Sequence, residues 1–474
     1  MSKKISFLAI SLLCTSLMAE AVKGTSAAGQ APAPTVAAPT GNAQAPTLQI
    51  NGFTAIVAGK ASQQDNTNGK GGGPHLAIGS SNIYFTAKGS SASGFNYKYR
   101  GALESYPGGK SVSGGNGSIY FTQNYIEFSQ DSWGIFQVGN LTGPEDTLVE
   151  SGFNLLQGAN TIDGTFTNIV NFAEGVIEGV QMVGQTSKAT KVAYYTPGIQ
   201  VGGSPTAGVI TLGIAFTPNT TRFGMGGIDN SGATPDNAYG NNPGLYPDKS
   251  IAAYGVNNIS LGANYKVDFK TWNLALAAVY IQEKAKRGNP RWVENQNING
   301  VNDGTLEFFK IKKAHHTRST QFTAAVGSGA WRFATGLILN NRARLPKTSS
   351  YGYKAGDAGT AWNVAGQYTI GAYQFALGYF NTSRKLPNIP GNAAGNPAYG
   401  AVSGRATSDI VSATIDFNAL QGLKFFGEVD VFKMRTNANY AKFIGNTKNY
   451  TDKSIVPTVK NSGAAVIVGT KLSF

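Results

Sequence analysis

Ala465-Val466-Ile467-Val468-Gly469-Thr470-Lys471-Leu472-Ser473-Phe474 is the stretch that decides the fold. Val466, Val468, Thr470, Leu472 and Phe474 fall on one side of a strand, at the period of 2 that a pleated backbone imposes. Ala465, Gly469, Lys471 and Ser473, on the other side, are small or polar. A strand buried in a globular core has no reason to close on such a row. The closing strand of a membrane barrel does, with one side in hydrocarbon and the other in water.

The same alternation recurs upstream. Ile259, Leu261, Ala263, Tyr265 and Val267 oppose Asn258, Ser260, Asn264 and Lys266, and Val411, Ala413, Ile415 and Phe417 oppose Ser412, Thr414 and Asp416. Ten residues at about 3.3 Å each, tilted near 45°, rise roughly 23 Å, the height of an outer-membrane apolar band. Strand-length segments are joined by two kinds of connection. Short ones, such as Asp131-Ser132-Trp133-Gly134, Gly327-Ser328-Gly329 and Gly371, alternate with long polar ones. This predicts an all-β, antiparallel, up-and-down transmembrane barrel of about sixteen strands. Side chains cannot fill so wide a cylinder, so its lumen is expected to hold water.

Upstream of residue 48 the composition changes. Lys3 and Lys4 precede an apolar run from Ile5 to Met18, and Ala19-Glu20-Ala21 offers a small-x-small cleavage pattern, so residues 1–21 read as an export signal. Cys14, the single cysteine, follows Leu12 and Leu13 and does not read as a lipidation site. Residues 22–47, rich in Ala and Pro, read as a solvated periplasmic tether, and the barrel is expected over residues 48–474. The expected location is the bacterial outer membrane.

Composition agrees. With 61 Gly, 21 Tyr and 25 Phe against 5 Trp, the chain suits many strands, tight turns and interfacial girdles. The formal charge is +14, or +13 without Lys3, Lys4 and Glu20. Such an excess raises nucleic acid as a partner, but the cations are spread along strands with no reading helix, so no nucleic acid is expected. In a pore the same charge biases the lumen toward anions or meets the phosphates of surface lipid. His75, His315 and His316 lack the carboxylate or serine companions of a catalytic set and the spaced ligands of a metal site, so neither enzyme, cofactor nor metal is expected.

Ile126-Glu127-Phe128-Ser129-Gln130-Asp131-Ser132-Trp133-Gly134-Ile135-Phe136-Gln137-Val138-Gly139 resembles the strand, turn and strand before the constricting third loop of general diffusion porins of Gram-negative outer membranes. Leu48-Gln49-Ile50-Asn51-Gly52-Phe53 is similar to their opening strand, Tyr194-Tyr195-Thr196-Pro197 to the strand leaving that loop, and Phe474 to their assembly signal. The resemblance implies a homotrimer in outer-membrane lipid and lipopolysaccharide, passing small hydrophilic solutes and ions. It implies that the segment from about 141 to 187 folds into the lumen, with Glu145, Asp146, Glu150 and Asp163 as the acidic side of a constriction. Asn140 and Ala193 stand where the family often has arginines, so the basic side is assigned to Lys98 and Arg100 by parity, then Lys191, Arg332, Arg342 and Arg344. Lys284, Lys286, Arg287, Arg291, Lys310, Lys312 and Lys313 form an expected extracellular basic loop, a vestibule for anions or a site for lipid phosphates. A phosphate- or sugar-selective channel and a barrel-anchored surface adhesin are the competing readings.

Overall fold

The computed structural model describes residues 44–64, 73–105, 119–156, 165–173, 176, 182, 184–186, 189–203, 207–219, 254–286, 315–341, 357–386, 403–437 and 459–474. Residues 1–43, with the expected export signal and most of the tether, lie outside them, as do Asp163, Arg287, Arg291, Lys310, Lys312, Lys313, Arg342 and Arg344.

Seventeen strand segments form one antiparallel sheet. In the first half these are β1 (Gln44–Gln63), β2 (His75–Ser90), β3 (Asn96–Ser105), β4 (Ile119–Gln130), β5 (Gly134–Asn140), β6 (Thr190–Tyr195), β7 (Ile199–Gln200) and β8 (Val209–Asn219). The second half comprises β9 (Tyr254–Asp268), β10 (Asn273–Lys286), β11 (Thr317–Ser328), β12 (Trp331–Asn340), β13 (Thr360–Ile370), β14 (Tyr373–Lys385), β15 (Arg405–Leu420), β16 (Leu423–Arg435) and β17 (Lys460–Ser473). Because β6 and β7 both pair with β8, they share one position, and the ring has sixteen staves. β17 pairs with β16 and with β1, and β1 with β2, so no edge remains.

β1 begins at Gln44, four residues before the expected barrel boundary, because Gln44 faces Ser90 and Thr47 faces Lys88 in the ladder. Tight turns make the short connections. Gly329 (φ +55°) and Gly371 (φ +56°) take the left-handed backbone that two-residue hairpins demand and that a side chain would strain. Short turns mark the periplasmic end and long connections the outer end.

Alternation sorts the side chains as the sequence indicates. Val466, Val468 and Leu472 are exposed on the outer face beside Val411, Ile415, Val429 and Val431 from β15 and β16. Phe474 exchanges backbone hydrogen bonds with Gly52 of β1, N to O at 3.0 Å and O from N at 2.9 Å. Its ring lies over that glycine, where a Cβ would meet Cζ at 2.8 Å. The last residue thus fastens the seam.

The inner face departs from the expectation of a uniformly wet wall. Ile467, between Val466 and Val468, is 0% exposed, in a cluster with Phe166, Ile169, Phe380, Phe426, Phe432 and Met434. These wall residues receive the segment after β5, which among the described residues carries three short helices, α1 (Pro144–Thr147), α2 (Gly152–Leu155) and α3 (Thr165–Ile169). Apolar burial of about 1.5–3 kcal/mol per large side chain anchors that segment to the wall.

Candidate functional site

The third loop touches the ring at three separated arcs, which is possible only from inside. α1 lies on β8 to β10, where Asn264 Nδ2 donates to the Leu148 carbonyl at 2.6 Å and the Leu148 methyl sits over Gly213 and Gly262. α2 lies on β12 to β14, with Gln367 Nε2 donating to the Leu155 carbonyl at 2.7 Å. Ser151 and Asn154 cap α2 reciprocally and fix its entry. α3 lies on β1 and β17: Gln63 Oε1 accepts from the Asn171 amide at 2.9 Å, and Asn461 Nδ2 donates to the Asn171 carbonyl at 2.7 Å. Phe166 meets Phe432 edge to face at 5.5 Å, and Phe153 meets Phe380 at 6.3 Å. Phe380 and Phe432 therefore serve as mooring points, covered by the loop.

The structure redistributes the expected acidic and basic sides. Glu145 and Lys191, assigned to opposite sides of the opening, meet each other instead: Lys191 Nζ lies 3.4 Å from Glu145 Oε1, with both side chains out of contact with water. Ser260 Oγ donates to Glu145 Oε2 at 2.6 Å. Burial works against ionisation of Glu145, but the Lys191 ammonium, the Ser260 hydroxyl and the residue's own amide outweigh it and hold the carboxyl below its usual range. This pair locks α1 to the wall and faces no solute. Asp146 accepts from Gln185 Nε2 within the loop. Glu150 pairs with Arg332, and its amide donates to Thr323 Oγ1 at 3.3 Å, so here an expected loop acid does meet an expected wall cation.

Lys98 reaches Glu127 Oε1 at 2.8 Å, its register partner on β4, and Gln137 Nε2 donates to the other oxygen at 2.7 Å. Arg100 has an aromatic partner: its guanidinium lies 4.8 Å from the Tyr84 ring centroid. Tyr84 neighbours Phe53 at 6.5 Å, and Lys471 Nζ stands 3.9 Å over the Phe53 ring. A run of cation, aromatic, aromatic, cation therefore crosses β3, β2, β1 and β17 on the inner wall. The expected loop cation Lys284 belongs to the end of β10, exposed on the lipid-side parity of Leu276 and Ala278, and Lys286 is the last residue of the same strand. Neither is a loop residue.

Sequence reasoning left out three inner cations that belong with this set. Lys88 faces Lys98 in the ladder, and Lys424 faces Lys471 while bonding Asp416 Oδ2 at 3.0 Å. The parity that selected Lys98 selects each of them, and Lys471 already stood on the polar side of the closing strand. Lys266, on the inner row of β9, joins Asp268, Lys270, Glu150, Arg332 and Gln367 around a cavity of about 570 Å³ beside the short turns. Cations thus ring the periplasmic mouth. Glu127, Asp416 and Glu150 engage Lys98, Lys424 and Arg332. Lys88, Arg100, Lys266 and Lys471 make no ion pair among the described residues, and the wall there carries net positive potential.

A family model described as Gram-negative porin matches residues 25–437. No curated protein matches the chain. Among solved structures, the chain is similar to the outer membrane channel DcaP of Acinetobacter baumannii, at 9% identity and a TM-score of 0.49, covering 90% of this chain and 97% of that one. It is similar to the trimer form of OmpT, an outer membrane protein of Vibrio cholerae, at 10% identity and 0.47, covering 91% and 100%. An anion-selective porin from Comamonas acidovorans is similar at 11% identity and 0.46, covering 91% and 100%.

Proposed function

The chain belongs to the Gram-negative porin family, and from that premise we propose that its outer-membrane channel passes small hydrophilic solutes with a modest preference for anions. The observation that carries the preference is the ring of inner cations Lys88, Arg100, Lys266 and Lys471 at the periplasmic mouth, without ion-pair partners among the described residues. Fixed charge of one sign on the low-dielectric wall of a water-filled passage raises the local concentration of the opposite ion. Passage is downhill and needs no chemical step. The loop acid Glu150, paired with Arg332, sets opposite charges side by side at the opening, an arrangement that favours dipolar over apolar solutes. Asp146 is assigned a supporting place inside the loop. A homotrimer, as in the general diffusion porins the sequence resembles, and a cleaved export signal complete the proposal.

Planar-bilayer recording tests it. The native channel is expected to give a large ohmic conductance and, in a salt gradient, a reversal potential on the anion side. Combined K88Q, R100Q, K266Q and K471Q replacement moves that potential toward cation preference. A cation-preferring native channel, or a reversal potential indifferent to the four replacements, overturns the assignment. Saturation of conductance by one solute would replace it with a selective channel.

A further inference from the structure

Phe380, Phe426, Phe432 and Ile467 face inward because the third loop packs on them. Phe53 of β1 and Tyr84 of β2 have the same parity, yet they belong to none of the apolar clusters of the described residues. Both are half-buried, so part of each ring borders the water-filled passage. Their neighbours on the inner side are Gln49, Asn51, Thr86 and Ser473, the polar residues that a wet wall calls for. Two rings in such a row leave apolar surface on offer to whatever passes.

The charges beside these rings are equally uncommitted. The Arg100 guanidinium lies 4.8 Å from the Tyr84 ring centroid, and Lys471 Nζ lies 3.9 Å from that of Phe53. An aromatic face holds a cation in place through its quadrupole and leaves the full positive charge unneutralised. Neither cation makes an ion pair or a side-chain hydrogen bond among the described residues, and Arg100 Nε is buried without an acceptor. The carboxylates nearby serve other groups. Glu127 bonds Lys98, Asp416 bonds Lys424, and Glu104 is buried opposite Asn82, further along β3. Asn82 Nδ2 donates to Tyr84 Oη at 3.0 Å, which fixes the phenol and leaves its own hydrogen to donate elsewhere. The wall therefore presents three kinds of donor, a guanidinium fork, an ammonium and a phenol, around two aromatic rings.

We propose that Phe53, Tyr84, Arg100 and Lys471 form a subsite in the lumen for aromatic carboxylates. The carboxylate accepts charge-assisted hydrogen bonds from Arg100 or Lys471, and the planar ring lies against Phe53 and Tyr84. An inorganic anion would use the charges and leave the rings idle. A saturated carboxylate of the same size would cover apolar surface but lack the edge or offset-stacked contact that a pair of aromatic rings adds. The inference rests on the anion preference proposed above and gives it a solute class.

Planar-bilayer recording of the full chain tests it with benzoate and cyclohexanecarboxylate, two acids of equal charge and similar size that differ in ring character. Benzoate is expected to half-saturate the native channel at a concentration about threefold to tenfold below that of cyclohexanecarboxylate. In F53L/Y84L, which keeps both cations and an apolar surface, the ratio falls toward one. R100Q/K471Q raises the half-saturating concentration of both acids together. Should either double variant form no channel, F53L, Y84L, R100Q and K471Q singly read the same quantities. Equal half-saturation by the two acids in the native channel overturns the subsite, as does a benzoate advantage that survives loss of the rings or a benzoate half-saturation indifferent to loss of the cations. The chloride reversal potential keeps the two proposals apart: a cation-preferring native channel refutes both, whereas an anion-preferring one that treats the two acids alike refutes the subsite alone.

Discussion

Replacing Glu145 by Gln while Lys191 stays is the sharpest test of how the third loop is held. The amide keeps an acceptor for Ser260 Oγ, so the substitution removes charge and little else. At 3.4 Å and an effective dielectric of about 20, the two charges attract by roughly 5 kcal/mol, an attraction that offsets the cost of burying both. Removing one partner strands the other, and such losses run at about 3–5 kcal/mol. Spread over the docking equilibrium of α1, that is a shift of roughly two to three and a half powers of ten toward the undocked loop. E145Q is therefore expected to show noisy, multilevel single-channel currents and faster proteolytic cutting between β5 and β6, with the barrel still inserted. The double variant E145L/K191M removes both charges and fills the same volume, so it is expected to recover quiet currents. Quiet currents and native cutting rates in E145Q, or a double variant as noisy as the single one, would refute the buried-pair account.

Acid should act on the same lock. Because the folded carboxyl of Glu145 is held below its ordinary value, its contribution is complete above the usual carboxylate range, near pH 4.3, and fades as pH falls through the depressed folded value. Native channels are expected to turn noisy in acid while E145Q shows no further change on that limb, read by single-channel recording. A leucine at Gly152 would bring a Cβ to 2.8 Å from the Ala365 backbone nitrogen, and overpacking of about 1–3 kcal/mol should lift α2 and raise conductance. I467D places an unpaired carboxylate against Phe166 and Ile169 and is expected to loosen α3, seen as added cutting near residue 170, with a stability loss of several kcal/mol. G52V sets a side chain against the Phe474 ring and the Asn82 carbonyl, and slower closure of the barrel should follow, measured by gel mobility over time.

Much of the wall was legible because a strand writes its environment into every second residue. Val411, Ala413, Ile415 and Phe417 could be assigned to lipid from the sequence, and the ladder puts them there. Ile467 shows where that reading stops: an apolar residue on the inner parity looks like an error in the pattern until a second piece of chain, 300 residues away, packs on it. Glu145 and Lys191 stand 46 positions apart, and only the path of the loop decides that they meet instead of facing each other across water. Lys88, Lys424 and Lys471 were within reach of the same parity rule that picked Lys98, but no local motif drew attention to them. The outward cations of β14 to β17 were hidden for another reason. Lys385, Arg405, Lys433 with Arg435, and Lys460 lie in four sequence segments that come together only through the register.

The pairing of β1 with β17 imposes an order of events in time. Phe53 faces Ser473, so the first stave waits for a partner made hundreds of peptide bonds later. Until that partner arrives, β1 carries an unsatisfied backbone edge, the kind of template on which chains aggregate. A cylinder of this kind cannot mature piecemeal as it is synthesised. The chain has to cross its aqueous compartment unclosed, kept from its siblings, and shut its wall where a bilayer is at hand to take the outer row of side chains.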